Sequence, residues 1–302
     1  MRKLCWPPIL ICCLFAVASA QERLDFSKLQ ERVTKVAGNI YMIEATGGFG
    51  GGNIGVSVGD DGIVIVDDQF APLADKIQAA LKGISDKPVK FILNTHYHGD
   101  HTHGNRVWGK NANIIAHENV RKRLQVPDPD SKEEMPTFGL PVSTFEQGVA
   151  VHLNGEDIRA IHFPSGHTDG DSVIFFTQSN VIHMGDDLFN GMFPFIDLEA
   201  GGSVRGYIDA VESVLKQAKP GTKFIPGHGP IATGDEVKEY LAMLKDTYQI
   251  VAAGVKQGKT LDQLKQQKVL AKYDKFAGGF MKTDEFLVQL YNDATGKKKN
   301  YM

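Results

Sequence analysis

Residues 94–103 read Asn94-Thr95-His96-Tyr97-His98-Gly99-Asp100-His101-Thr102-His103, and four of them, His96, His98, Asp100 and His101, are metal-ligand types within six positions. An apolar run, residues 89–93, leads straight into them, so the cluster stands where a buried strand ends and its side chains can converge from one turn. Three more ligand types stand on glycine-flanked turns, each after an apolar run: His167 in Ser165-Gly166-His167-Thr168, Asp186 in Gly185-Asp186-Asp187, and His228 in Pro226-Gly227-His228-Gly229. The glycines permit tight turns and close backbone approach. All three cysteines, Cys5, Cys12 and Cys13, lie within the first twenty residues, a segment expected to be cleaved, so a metal site in the mature chain is expected to use imidazole and carboxylate without thiolate. Such a set suits zinc and makes metal-assisted hydrolysis the first chemistry to consider.

The elements that must position these residues follow from periodicity. Residues 39–45, 53–58, 62–67, 89–93 and 112–116 read as strands, with 62–67 apolar throughout and so covered on both faces. Helical spacing marks 71–81, through Leu73, Ile77 and Leu81, and 117–124. A proline-rich stretch, 127–141, reads as a surface loop. Strands 149–153 and 157–163 flank an Asn154-Gly155 turn, a strong hairpin signal. Strands 172–176, 181–184 and 223–225 and an amphipathic helix over 204–218 complete the body. Hairpins interleaved with helices predict an α/β fold of the four-layer αβ/βα sandwich type. Beyond residue 235 the chain reads as helical, with Val237, Leu241, Leu244, Tyr248, Val251 and Val255 at helical spacing and Thr260 and Thr283 as caps. This tail, 235–302, is expected to pack on the 21–234 domain. The polar residues 21–30 read as a loose lead-in. The glycine run around Phe49, residues 46–52, reads either as a mobile flap over a site or as a plain hairpin connection.

Arg2 and Lys3, an apolar run from Leu4 to Val17 and Ala18-Ser19-Ala20 have the form of a secretory leader over residues 1–20, cleaved before Gln21 and too short to span a membrane. A secreted or periplasmic protein is the expectation. Without Arg2 and Lys3, 31 basic residues face 36 acidic ones. That balance argues against nucleic acid or anionic membrane as a main partner and leaves a small-molecule substrate.

In order and spacing, His96-x-His98-x-Asp100-His101, Gly166-His167-Thr168, Gly185-Asp186 and Gly227-His228-Gly229 resemble the motifs of the metallo-β-lactamase superfamily, over roughly residues 33–233. The resemblance implies two zinc ions per chain. His96, His98 and His167 would hold the first, and Asp100, His101 and His228 the second. Asp186 would bridge them together with a hydroxide, which Asp100 can orient. Thr95 and Asp67 are candidates for holding imidazoles in place, Asp67 reading equally as a strand-end cap. A redox diiron site is disfavoured, because that branch carries Glu at the place of His98. The single-cysteine zinc β-lactamases carry Cys at the place of Asp186. Glyoxalase II shares His101 and Asp186, but its glutathione-binding C-terminal pattern is not evident. His117, His152, His162 and His183 read as packed or surface residues. His103, where relatives usually carry glycine, reads as a solvent-facing helix residue, with pocket lining as the other reading.

The expected function is an exported binuclear zinc hydrolase using a metal-bound hydroxide on a small-molecule carbonyl substrate, β-lactams among the candidates. The alternatives are a thioesterase or lactonase of glyoxalase II type and a mononuclear iron oxygenase of the same fold. A binding protein without turnover is disfavoured by the intact ligand set. A carboxylate at residue 186, harder than a thiolate and able to reach both ions, is expected to favour activated esters and thioesters over lactams.

Overall fold

The computed structural model describes residues 25–127 and 132–300, so the expected leader, 1–20, lies outside the described residues. One sheet holds seven strands in chain order: β1 (Gln30–Ala37), β2 (Ile40–Thr46), β3 (Ile54–Gly59), β4 (Gly62–Val66), β5 (Val89–Leu93), β6 (Asn113–His117) and β7 (Ser143–Phe145). Neighbours from β1 to β4 are antiparallel, and those from β4 to β7 are parallel. The other sheet holds six: β8 (Gly148–Leu153), β9 (Glu156–His162), β10 (Ser172–Phe176), β11 (Val181–His183), β12 (Lys223–Ile225) and β13 (Ala232–Thr233), with only β11 and β12 parallel. The helices are α1 (Ala74–Lys82), α2 (Gly99–Thr102), α3 (Asn105–Trp108), α4 (Glu118–Leu124), α5 (Val204–Gln217), α6 (Gly234–Lys256), α7 (Leu261–Gln266) and α8 (Thr283–Ala294). Among the described residues no helix is long and apolar enough to cross a membrane.

The period-two alternation of the strands sorts side chains into layers. In β4, Val64 and Val66 face the second sheet and join Ile174, Phe176, Ile158 and Ile225 in the core between the sheets. Ile63 and Ile65 face the other way and pack with Ile77 and Leu81 of α1. In β10, Val173 points outward into a third core with Tyr207 and Val211 of α5 and Val237, Tyr240 and Leu244 of α6. The result is the expected sandwich of two mixed sheets with helices outside. Phe286, Leu287 and Leu290 of α8 belong to the same outer core as α5 and α6.

Several local expectations are corrected. Residues 25–30 are not a loose lead-in: Lys76 Nζ donates to the carbonyls of Phe26, Ser27 and Leu29 at 2.8, 3.0 and 2.6 Å, and β1 begins at Gln30. Strands β1, β7 and β13 were not predicted. β1 has no fully buried position and β7 has one, Phe145, so neither carries an apolar rhythm. The described part of 127–141 is only partly a surface loop, since Met135 and Leu140 pack against Ala116, Val120 and Leu124. Thr260 caps α7, accepting from the Gln263 amide. Thr283 does not cap α8. It is the first helical residue, and its hydroxyl donates to Asp274 Oδ1 at 2.6 Å. The Asn154-Gly155 turn is as read, with φ of 58° and 71°, the left-handed pair a two-residue hairpin loop requires.

Candidate metal centre

The ligand-type residues leave four places along one edge of the sandwich: the β5–α2 turn, and the turns after β9, β11 and β12. The fold brings their donor atoms into two groups. His96, His98, His167 and Asp186 form one, and Asp100, His101 and His228 the other, with donor atoms in each within 4.8 Å of one another. In the first, His98 Nδ1 lies 3.1 Å from His96 Nε2 and 2.8 Å from His167 Nε2. In the second, His228 Nε2 lies 3.3 Å from Asp100 Oδ2 and 3.4 Å from His101 Nε2. Asp186 stands between them. Its Oδ2 is 3.5 Å from His167 Nε2 and 3.8 Å from His96 Nε2, while Oδ1 is 3.1 Å from His101 Nε2 and 3.5 Å from His228 Nε2.

What aims these rings is a set of bonds on their far sides. The Thr95 hydroxyl donates to Asp67 Oδ2 at 2.7 Å, so its contact of 3.0 Å with His96 Nδ1 has the imidazole as donor. His101 Nδ1 lies 2.8 Å from the same Asp67 oxygen, His167 Nδ1 lies 2.7 Å from the Phe195 carbonyl, and His98 Nε2 lies 3.0 Å from Asp197 Oδ2. Each of these partners can only accept. Four imidazoles thus carry a proton on the outward nitrogen and turn the other nitrogen inward, the arrangement a metal ligand needs. Asp67 also accepts the Thr95 amide at 2.7 Å. Its carboxylate therefore serves the site, and its φ of 63° is a conformation that Asp tolerates better than most residues.

Two glycines leave room for this. A Cβ on Gly52 would stand 2.1 Å from the His101 ring, and one on Gly227 would stand 2.0 Å from Asp186 Oδ1. Residues 50–52 are accordingly packed, not a free flap: the Gly52 amide donates to the Asp100 carbonyl at 3.0 Å and Gln69 Nε2 donates to the Gly52 carbonyl at 2.9 Å. Phe49, at the tip, is 37% exposed, with its ring 6.0 Å from that of His228.

Burial opposes charge across the site. It pushes His96 well below the usual imidazole range, helped by His101, and takes His167 down to about 4 against the pull of Asp186. Burial also opposes charge on His101 and His228, but Asp186 and Asp100 outweigh it, holding His101 well above its ordinary value and His228 at about 9. For Asp186, burial is overcome by His101, His228, His96 and His167, which hold its carboxyl well below the usual range. Asp100 is likewise drawn down to about 2, against burial, by His101 and His228. Behind His167 the reverse holds: burial lifts Asp187 to about 8 and, with Asp187 beside it, raises Asp171 well above a normal carboxylate.

The other histidines stay out of both groups. His183 is buried, its Nε2 3.0 Å from the Asn53 carbonyl and its Nδ1 accepting the Gly185 amide at 3.1 Å. His117 and His162 stack at 3.6 Å, and His152 pairs with Asp157 at the surface. His103 is half-buried rather than solvent-facing, edge-on to Phe70 and over Gly99. Sequence reading missed three supporting residues. Asp197 orients His98. Asn300 donates to Asp197 Oδ1 at 3.0 Å. Asn53 holds the His228 turn by donating to the carbonyls of Pro226 and Gly229 at 3.0 and 2.8 Å.

A two-part histidine–aspartate centre at one edge of an αβ/βα sandwich defines a metallohydrolase-like class of site. The chain matches the metallo-β-lactamase superfamily over residues 47–228 and belongs to it; members of that superfamily are typically metal-dependent hydrolases. A linear primary-alkylsulfatase of Pseudomonas sp. (strain ATCC 19151) is 24% identical over 229 residues, covering 62% of this chain and 43% of the relative. A hydroxyacylglutathione hydrolase of Prochlorococcus marinus (strain MIT 9312) is 32% identical over 108 residues, 34% of this chain and 37% of the relative. The chain thus spans less than half the length of the curated relatives it matches. Among solved structures, a metallo-β-lactamase from Pontibacter korlensis superposes with a TM-score of 0.61 at 17% identity, over 72% of this chain and 99% of that one, a likeness of fold.

Proposed function

We propose that the protein is an exported binuclear zinc hydrolase acting on activated esters or thioesters of small molecules, with β-lactams as poorer substrates. The observation that carries this reading is the outward-tied, inward-aimed state of four imidazoles around a carboxylate that presents one oxygen to each group. The donor set fits two zinc ions: His96, His98 and His167 would hold one, Asp100, His101 and His228 the other, and Asp186 would serve both. Asp186 directs Oδ1 toward His101 and His228 and Oδ2 toward His96 and His167, so one carboxylate faces both donor groups. When bound, zinc acidifies water toward neutrality and polarises the group under attack. The protein's own share is positioning. Asp67, Thr95 and Asp197 fix ring orientation, and Asp100, with a side chain 18% exposed, can orient a water by accepting a hydrogen bond from it. The hydroxyacylglutathione hydrolase likeness favours the thioester arm. A second reading, an alkyl sulfate ester, is favoured by the alkylsulfatase alignment over 62% of the chain.

Protein recovered from the periplasmic fraction, beginning at Gln21, should be assayed on thioester, aryl ester, lactone, β-lactam and alkyl sulfate substrates. Turnover of a thioester or ester at least tenfold above that of β-lactams is expected. Turnover of alkyl sulfate alone would move the protein to the second reading, and no turnover of any member by zinc-loaded enzyme would reject the hydrolase reading.

A further inference from the structure

The imidazole of His228 is enclosed by phenylalanines: Phe189 at 5.1 Å, Phe280 at 5.0 Å and Phe49 at 6.0 Å between ring centres. Phe189 is buried. Phe49 and Phe280 meet edge-on at 5.0 Å and remain 37% and 46% exposed. They arrive from opposite ends of the chain, Phe49 from the glycine run and Phe280 from the segment between α7 and α8. That segment is held firmly. Met281 beside Phe280 is buried, Lys282 Nζ donates to the carbonyls of Ala277 and Gly279 at 3.1 Å each, and a Cβ on Gly279 would strike Met192 Sδ at 2.4 Å. Two large apolar rings left open to water beside imidazoles and carboxylates incur a hydration cost that an apolar ligand group would relieve. The third exposed phenylalanine among the described residues, Phe138, is elsewhere, under Lys110 Nζ at 5.5 Å.

We propose that Phe280, with Phe49, forms a subsite beside His228 for an alkyl or aryl group of the substrate, so that the C-terminal segment sets specificity for apolar acyl derivatives. This rests on the hydrolase reading above. Covering one ring face with a chain of several methylenes is worth about tenfold in affinity.

The experiment compares acetyl and octanoyl thioesters as substrates, and acetate and octanoate as calorimetric ligands, on zinc-loaded wild type and Phe280→Ala, Phe280→Leu and Phe138→Ala variants. Wild type should prefer octanoyl over acetyl by about tenfold in kcat/KM, expressed in KM, and should bind octanoate more tightly than acetate. Phe280→Ala should abolish both preferences, Phe280→Leu should keep most of each, and Phe138→Ala should leave the ratios alone. If Phe280→Ala lowers both substrates equally, the ring only shields His228 and the subsite is refuted. If wild type binds octanoate no better than acetate, it is refuted as well. The calorimetric arm decides the subsite even where neither thioester is turned over, an outcome that counts against the hydrolase reading separately.

Discussion

Protons and metals compete for the same nitrogens, and the two ligand groups stand differently in that competition. His96 and His167 are pushed below neutrality by burial, His167 to about 4. They are therefore neutral at pH 7 and ready to ligate. His101 and His228 are raised by Asp186 and Asp100, His228 to about 9. In metal-free protein these two hold protons at pH 7, and their pairing with the aspartates stabilises the fold. The sign follows from the raised values: the contribution is full below the ordinary imidazole pKa of about 6.5, and that of His228 is lost as pH rises through about 9. A metal entering the second group must expel those protons, so its affinity falls as pH falls. Zinc titration of metal-free protein in weak buffer at pH 7 should release more protons with the equivalent that enters the second group than with the one that enters the first. Equal release with both equivalents would contradict the assignment. At this scale the sequence made the inward-facing residues visible, because four candidate ligands crowd into residues 96–101 and the other three stand on glycine-flanked turns. Asp197 and Asn300 gave no such sign. Asp197 lies 99 positions from His98 and Asn300 a further 103 positions from Asp197, so the fold alone brings Asp197 to His98 and Asn300 to Asp197.

At the scale of elements, the glycine run is where expectation and structure diverge most usefully. Gly50 to Gly52 read as freedom, yet their missing side chains are what allow the segment to lie against Ala45, Asp100 and His101. A methyl at residue 52 must displace a buried imidazole or the strand that follows, an overpacking cost of about 1–3 kcal/mol. Because His101 is the neighbour struck, Gly52→Ala should weaken the second zinc site at least tenfold while leaving the first near its wild-type affinity, as read by calorimetric titration. Unchanged affinity at both sites would mean that residues 50–52 are as loose as their composition suggests. Central strands such as β4 and β10 were legible because both faces bury apolar residues. The edge strands were not, since β1 exposes both of its faces to some degree and β7 offers only Phe145. The helical tail was legible through its 3.6-residue spacing, but its delivery of Phe280 and Asn300 to the metal centre was not, because neither residue takes part in that spacing.

The whole molecule joins two sheets so that turns from both meet at one edge. The first sheet supplies His96, His98, Asp100 and His101, and the second supplies His167, Asp186 and His228. Neither half is a complete site, which ties the metal centre to the packing of Val64 and Val66 against Ile174 and Phe176. Metals bound across this junction should stabilise the native state by linkage. The central claim is the paired centre itself, and elemental analysis of the purified protein tests it most directly. Wild type should carry about two zinc ions per chain, and His98→Ala should lose the first-group ion. One tightly held iron per chain with no zinc would contradict the account.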